Sequence, residues 1–457
     1  MHADVERFGF DPDKRFLRVI EQQGRVVLAA DANEQAAILL DYLRELAVDV
    51  IGDFGTPADA KNKKPGPGFA VTAADGELRI AAGRFWVDGY LCVNDAEVAY
   101  AGQADYPEAP APPDGSFVVY LDAWERHVSA AEDPSIRDVA LGGPDTCSRS
   151  KLVWQVRVLS PPWSGAAPAA GIKADAVVDR WRSEWGPMAD PPNRGSLVVE
   201  VSRDDGPPDP CQVPADAGYF GNENQLYRVE VHRGSGVMVD GAALPPTFKW
   251  SRDNGSVVYP LAGIDGTVAV LRDPPLDCTK QLSPGTLVEV VDDHSSLLAR
   301  PGVLGRVLEV DDDGDEVVVH LSQGPADTIA PERHPMLRRW DHPDVEGGES
   351  GVPRRADDGA LELVEGATLA FTLEDGITVR FAPAGDADPV RYRTGDYWTF
   401  AARAAIGDVI WPRNEAGEAL PVAPHGIDHH MAPLALVMPD RVVDARVGFP
   451  RLGPLYT

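Results

Sequence analysis

The stretch from Gly218 to Tyr259 constrains the fold more than any other, because part of it alternates cleanly with period two. Tyr227, Val229 and Val231 fall on one side of an extended chain, and Arg228, Glu230 and His232 on the other. A Gly- and Pro-bearing loop then leads to Phe248-Lys249-Trp250, whose two aromatics share a face. Asp253-Asn254-Gly255 precedes Ser256-Val257-Val258-Tyr259. Asn-Gly between two strand-like runs predicts a type I′ hairpin, since both central residues must take positive φ. The centre of the chain is therefore expected to be a β-meander whose polar face gathers Arg228, Glu230, Lys249 and Arg252. Acids and bases lie close together there, which favours exposed compensating pairs worth about 0.2–1 kcal/mol each over a catalytic pair.

A chain of 457 residues has the length of roughly three domains. Its 44% hydrophobic content is enough for real cores. The 72 acidic against 42 basic side chains give a net charge of -30. Such a chain is repelled by a phosphate backbone or an anionic leaflet, which argues against nucleic acid and membrane partners. The acidity serves solubility or supplies a docking face for a basic partner. No apolar run approaches ~18 residues, so no membrane insertion is expected. The opening MHADVERFGFDPDKRF has neither an apolar core nor a cleavage site of the secretory kind, so synthesis in the cytoplasm without a signal peptide is expected. Cys92, Cys147, Cys211 and Cys278 form no CxxC pair, which excludes a zinc ribbon or thioredoxin motif and leaves buried free thiols.

Near the N-terminus, residues 17–30 hold two apolar runs parted by Gln22-Gln23-Gly24. Asp31 stands three residues before Glu34, a capping-box spacing. Apolar residues then recur at helical spacing from Ala36 to Val50, until Gly52, Gly55 and Pro57 stop them. This predicts an amphipathic helix with a narrow apolar stripe to bury against the strands or another subunit. Leu39, Leu43, Leu46 and Val50 are its expected attachment residues. Lys61 to Gly68 reads as a linker. An insertion at 161–195 carries a short helix with Val177, Val178, Trp181 and Trp185 on one face. Strands around Leu287–Val291, Val303–Val310 and Val317–Leu321 suit a small barrel-like module. The expected fold is mainly β, with several antiparallel modules and one N-terminal helix. Its segments are an attachment region at 1–60, a central β domain at 65–280, the barrel-like module at 282–325 and a C-terminal β domain at 326–457.

Few residues suggest chemistry. Glu309 to Gly314 mimics the start of a calcium loop, but its twelfth position is His320 and it joins two strands, so a solvated hairpin turn is expected. His425, His429 and His430 form the densest histidine cluster. Adjacent His429 and His430 point opposite ways on a strand, so at most one of them shares an ion with His425. Hydrogen-bonded histidines are expected instead, with no metal and no cofactor. Glu223, Glu230, His232 and Asp253 supply the candidates for a glycosidase-like carboxylate pair. The chain has no GxSxG, P-loop or HExxH motif, and no GxGxxG opening a helix.

Blocks spread over nearly the whole chain carry a resemblance. They include QQGRV at 22–26, DANEQ at 31–35, YLDAWERH at 120–127, ENQLYRVE at 223–230, FKWSRDNG at 248–255 and YRTGDYW at 392–398. Together they resemble an uncharacterised bacterial family of unknown function. The resemblance implies phage-tail-like or contractile-injection gene neighbourhoods and carries over no catalytic residue. Ala445, in Asp444-Ala445-Arg446, stands where relatives are expected to have Cys. The expected function is a non-catalytic, homo-oligomeric structural component of such a particle, peripheral in the baseplate or fibre-like. Its partners are other particle proteins, and the particle is intracellular or released. The alternative is a surface protein that binds or cleaves carbohydrate, with Trp86, Trp124, Trp163, Trp181 and Trp185 stacking on a surface glycan.

Overall fold

The computed structural model describes residues 1–59, 64–74, 76–141, 143, 145–161, 171–191, 194–201, 219, 221, 223–239, 241–272, 281–313, 316–343, 355–366, 369–383 and 391–450. Most of the Lys-rich linker, Gly142 and Pro144, Trp163, Gly314, Cys211 and Cys278 lie outside them. The chain is mainly β, with several antiparallel sheets, one closed barrel and an N-terminal helix. It divides into two compact units that are discontinuous in sequence. One comprises Met1–Arg7, His127–Ser150 and Asn193–Ile427; the other comprises Phe8–Arg126, Lys151–Pro192 and Asp428–Thr457.

The first unit is built on β1 (Gln225–Arg233), the middle strand of a five-stranded sheet. It pairs antiparallel with β2 (Thr247–Ser251) on one side and with Tyr397–Arg403 on the other. The predicted alternation holds. Tyr227, Val229, Val231, Phe248 and Trp250 enter a core shared with Phe381, Trp398 and Phe400. The expected hairpin does not form. Asn254 and Gly255 do take positive φ, 54° and 61°, but the following strand, β3 (Val258–Asp265), leaves the sheet and enters the barrel. Tight-turn geometry is local, whereas strand pairing is decided by which apolar face finds a partner.

The barrel closes six strands in the order β3, β4 (Val268–Leu271), β7 (Val317–Leu321), β6 (Val303–Asp312), β5 (Leu287–Val291), β8 (Met336–Trp340) and back to β3. It takes in strands on both sides of the three read from the sequence. Val288, Val290, Val307, Val319 and Leu337 fill its interior. Alternation turns Glu289 and Arg338, register partners on β5 and β8, to the outside. The acidic turn joins antiparallel β6 and β7, as a hairpin connection should.

In the second unit, Phe117–Val128, Arg149–Leu159, His430–Met438 and Arg441–Asp444 form one four-stranded sheet. Phe54–Pro57, Gly83–Val87, Tyr90–Asn94 and Gly448–Phe449 form another. Val177, Val178, Trp181 and Trp185 are all buried, as their shared helical face predicts. Cys92 is a buried free thiol, but Cys147 is exposed, because it lies in an irregular loop before a strand.

Helix α1 (Ala29–Ile51) begins earlier than the capping-box spacing suggests. Leu28 is its N-cap without a side-chain bond, and Asp31 lies in the first turn. Ala29 and Ala30 are strong helix formers, and Asp31 still favours the positive end of the helix dipole. Gly52 ends the helix at φ 93°, its N–H donating to Val48 O at 2.7 Å. Only Ala30 and Ile38 are buried on α1. Arg44 pairs with Glu125 and stacks over the Tyr90 ring at 4.0 Å. Here Gly89 is required: its φ is 77°, and a Cβ would stand 2.6 Å from the Arg44 carbonyl oxygen. Gly89→Ala should therefore destabilise the protein by about 1–3 kcal/mol, read as a lower thermal midpoint. Gly76→Ala adds the same φ strain with nothing within 4 Å and should cost less.

Candidate functional site

The polar face of β1 is not solvated. Arg228, Glu230, His232 and Lys249 are each at most 5% exposed, and so is Glu289 on the barrel. Such groups are almost never buried unless paired, and here they pair with each other. Lys249 Nζ donates to both Glu289 oxygens at 2.7 and 2.6 Å and lies 3.1 Å from Glu230 Oε1. Arg228 Nε donates to Glu230 Oε2 at 2.6 Å. Trp340 Nε1 and the Gly302 N–H donate to Glu289 at 2.8 and 3.0 Å, and His232 Nδ1 stands 3.3 Å away. The guanidinium of Arg228 covers the Tyr397 ring at 3.7 Å. Residues 1–3 close this layer. His2 Nε2 lies 2.8 Å from Glu230, and Asn254 Nδ2 donates to the carbonyls of Met1 and Ala3.

The electrostatics follow from this packing. Burial alone raises both carboxyls. Arg228, Lys249 and His2 overcome it at Glu230, and Lys249 with His232 overcomes it at Glu289, so both lie below the ordinary range and are ionised. His2 is pushed down by burial and by Arg228 and Arg338. The expectation of weak, exposed pairs is thus overturned. Arg252 is not part of the layer; it reaches Glu374 at 2.7 Å.

The other carboxylate candidates lie elsewhere. Glu223 and Asp253 line an open cleft of about 570 Å³, with Arg252, Arg339 and Asp341. Several of its charges are paired: Arg339 with Asp253, and Arg252 with Asp341 and with Glu374. Burial raises the carboxyls of Asp253 and Glu374. His342, also in the lining, is pushed down to about 3 by burial. The histidine cluster is dispersed into separate contacts. His429 Nδ1 lies 2.7 Å from Asp122 and His430 Nδ1 lies 3.1 Å from Asp88, while His425 Nδ1 accepts the Thr399 N–H at 3.0 Å. Among the described residues, no group of three His, Cys, Asp or Glu is arranged to hold a metal. Among them, too, no helix is long and apolar enough to cross a membrane.

The exposed feature is α1. Leu39, Leu43, Leu46 and Val50 are 53%, 58%, 49% and 60% exposed, with Leu40 and Tyr42 beside them. Ala32 and Ala36 continue the row. The spacing 32, 36, 39, 43, 46, 50 is the four-three repeat of a coiled-coil seam, turned outward. Before the helix, Phe16, Leu17, Ile20, Val26 and Val27 are also exposed. Large apolar side chains are thus left exposed both on α1 and on the segment before it.

A family model matches residues 1–182 and 192–444. The chain belongs to DUF6519, a family of unknown function. No curated protein and no solved structure matches it. The span matched by DUF6519 contains both α1 and the whole charged layer. Sequence reasoning missed Glu289, Arg338, Trp340 and His2 as members of that layer. One signal was present: Glu289 interrupts the apolar run Leu287-Val288-Glu289-Val290-Val291, and an acid inside a buried-looking strand needs a partner.

Lys249→Met, which leaves two buried carboxylates short of their shared cation, should lower stability by about 3–5 kcal/mol in chemical denaturation. A carboxyl depressed by folding contributes stability that is present above its ordinary value of 4.5 and lost as pH falls below it. The gap between wild type and Glu289→Gln should therefore be widest near neutrality and close as pH falls below 4.5. A constant gap would mean that the ionised form of Glu289 is not what folding favours.

Proposed function

We propose that the chain is a non-catalytic structural component of a larger protein assembly, attached through the outward seam of α1. The assembly is of the phage-tail-like or contractile-injection kind implied by the sequence blocks, where the chain would be a peripheral baseplate or fibre-like part. The observation that carries this reading is the exposure of Leu39, Leu43, Leu46 and Val50 in one row on a helix whose other face is anchored by Arg44. The charged layer supports it. Glu230 and Glu289 are both held ionised, whereas acid–base catalysis on a carboxylate pair needs one protonated and one ionised. A glycan reading rests on exposed aromatics, and Trp124, Trp181 and Trp185 are buried in the core.

The test is co-sedimentation from the producing cell. Wild type should pellet with the assembly, and the Leu39→Asp/Leu43→Asp chain should stay in the supernatant with an unchanged circular dichroism spectrum. A folded variant that pellets like wild type would contradict the reading.

A further inference from the structure

We infer that the partner on the α1 seam is a second copy of this chain, packed antiparallel. This rests on the assembly reading above and names the occupant of the same site. Packing the seam against itself in opposite direction sets Ala32 against Val50, Ala36 against Leu46, and Leu39 against Leu43. Each small residue then faces a large one, and the two helices keep an even separation along the contact. A parallel pair would stack alanine on alanine at one end and Leu or Val on itself toward the other, splaying the helices and leaving voids that close packing does not tolerate.

Charge selects the same direction. The arm at residues 14–28 carries Lys14, Arg15, Arg18 and Arg25 against Glu21, a net charge of +3. Helix α1 carries Asp31, Glu34, Asp41, Glu45 and Asp49 against Arg44, a net charge of -4. The arm lies beside the first half of its own helix, where the Val19 N–H donates to Gln35 Oε1 at 2.9 Å. In the antiparallel register, residue 35 of one copy faces residue 47 of the other, between Glu45 and Asp49 of the partner. Both acids are exposed, as are Arg15 and Arg18 on the arm. Each basic arm thus meets the acidic, dipole-negative end of the opposite helix. A parallel pair would bring the two basic arms together. The arm's exposed Phe16, Leu17 and Ile20 meanwhile extend the apolar cover.

Analytical ultracentrifugation of the purified full chain should give twice 49.1 kDa, and Leu43→Asp should give the single mass with an unchanged circular dichroism spectrum. Under mild oxidation, Ala36→Cys mixed with Leu46→Cys should form a mixed disulfide dimer. Neither alone should cross-link above wild type, which carries the same four native cysteines. A single mass for wild type up to high micromolar concentration would overturn self-pairing, and co-sedimentation of that monomer with the assembly would leave the attachment reading standing. Ala36→Cys cross-linking to itself would overturn the antiparallel register.

Discussion

Lys249, held between Glu230 and Glu289, is the interaction on which the first unit depends. It joins the sheet to the barrel through charge. The outward face of β5 and β8 is too polar to bury against ordinary apolar side chains, and the face of β1 that carries Arg228, Glu230 and His232 is equally so. Each polar layer is tolerable only against the other. This explains why Arg228, Trp340, Tyr397 and residues 1–3 gather there: every remaining lone pair and donor in a dry layer needs a partner. Replacing such a layer by apolar side chains is often neutral or stabilising, so its retention is weak evidence for stability as such. What it supplies here is register. Alternation places Glu289 and Arg338 opposite Glu230 and Lys249 in one arrangement, and a slip by one residue would bury unpaired charge.

Much of the fold was legible in the sequence. Period two at Tyr227–His232 gave the strand and the correct apolar face, and helical spacing gave α1 and the buried Trp181–Trp185 face. What stayed hidden was non-local. Asn254-Gly255 has the conformation its residues demand, yet the chain it turns goes to the barrel, because pairing is decided by surfaces far apart in sequence. The polar side of β1 looked solvated for the same reason. Its cover, Glu289 and Trp340, lies on strands well downstream, and nothing near Glu230 announces it. For the candidate site the situation reverses. Leu39, Leu43, Leu46 and Val50 were visible as a stripe, but a stripe does not say which way it faces. The contacts of Arg44 with Glu125 and Tyr90 decide that, by fixing the opposite side of the helix inward.

The molecule therefore buries charge and exposes leucine, the reverse of what solubility alone would favour. A chain of net charge -30 can carry an uncovered apolar row without general aggregation, since like charge keeps copies apart except where shape and local charge match. The basic arm and the acidic end of α1 are such a match. In the inferred pair this local reversal of sign would set the direction of association, and the apolar seam would supply the adhesion.

The α1 seam should be open on one chain and covered in assembly. Carbene footprinting of the full chain over a dilution series measures this directly. Leu39, Leu43 and Leu46 should label strongly at high dilution and become shielded as concentration rises. Val139 and Leu308, exposed elsewhere, should label equally throughout. A seam shielded at every dilution, or labelled equally at every concentration and in every assembled form, would contradict the account.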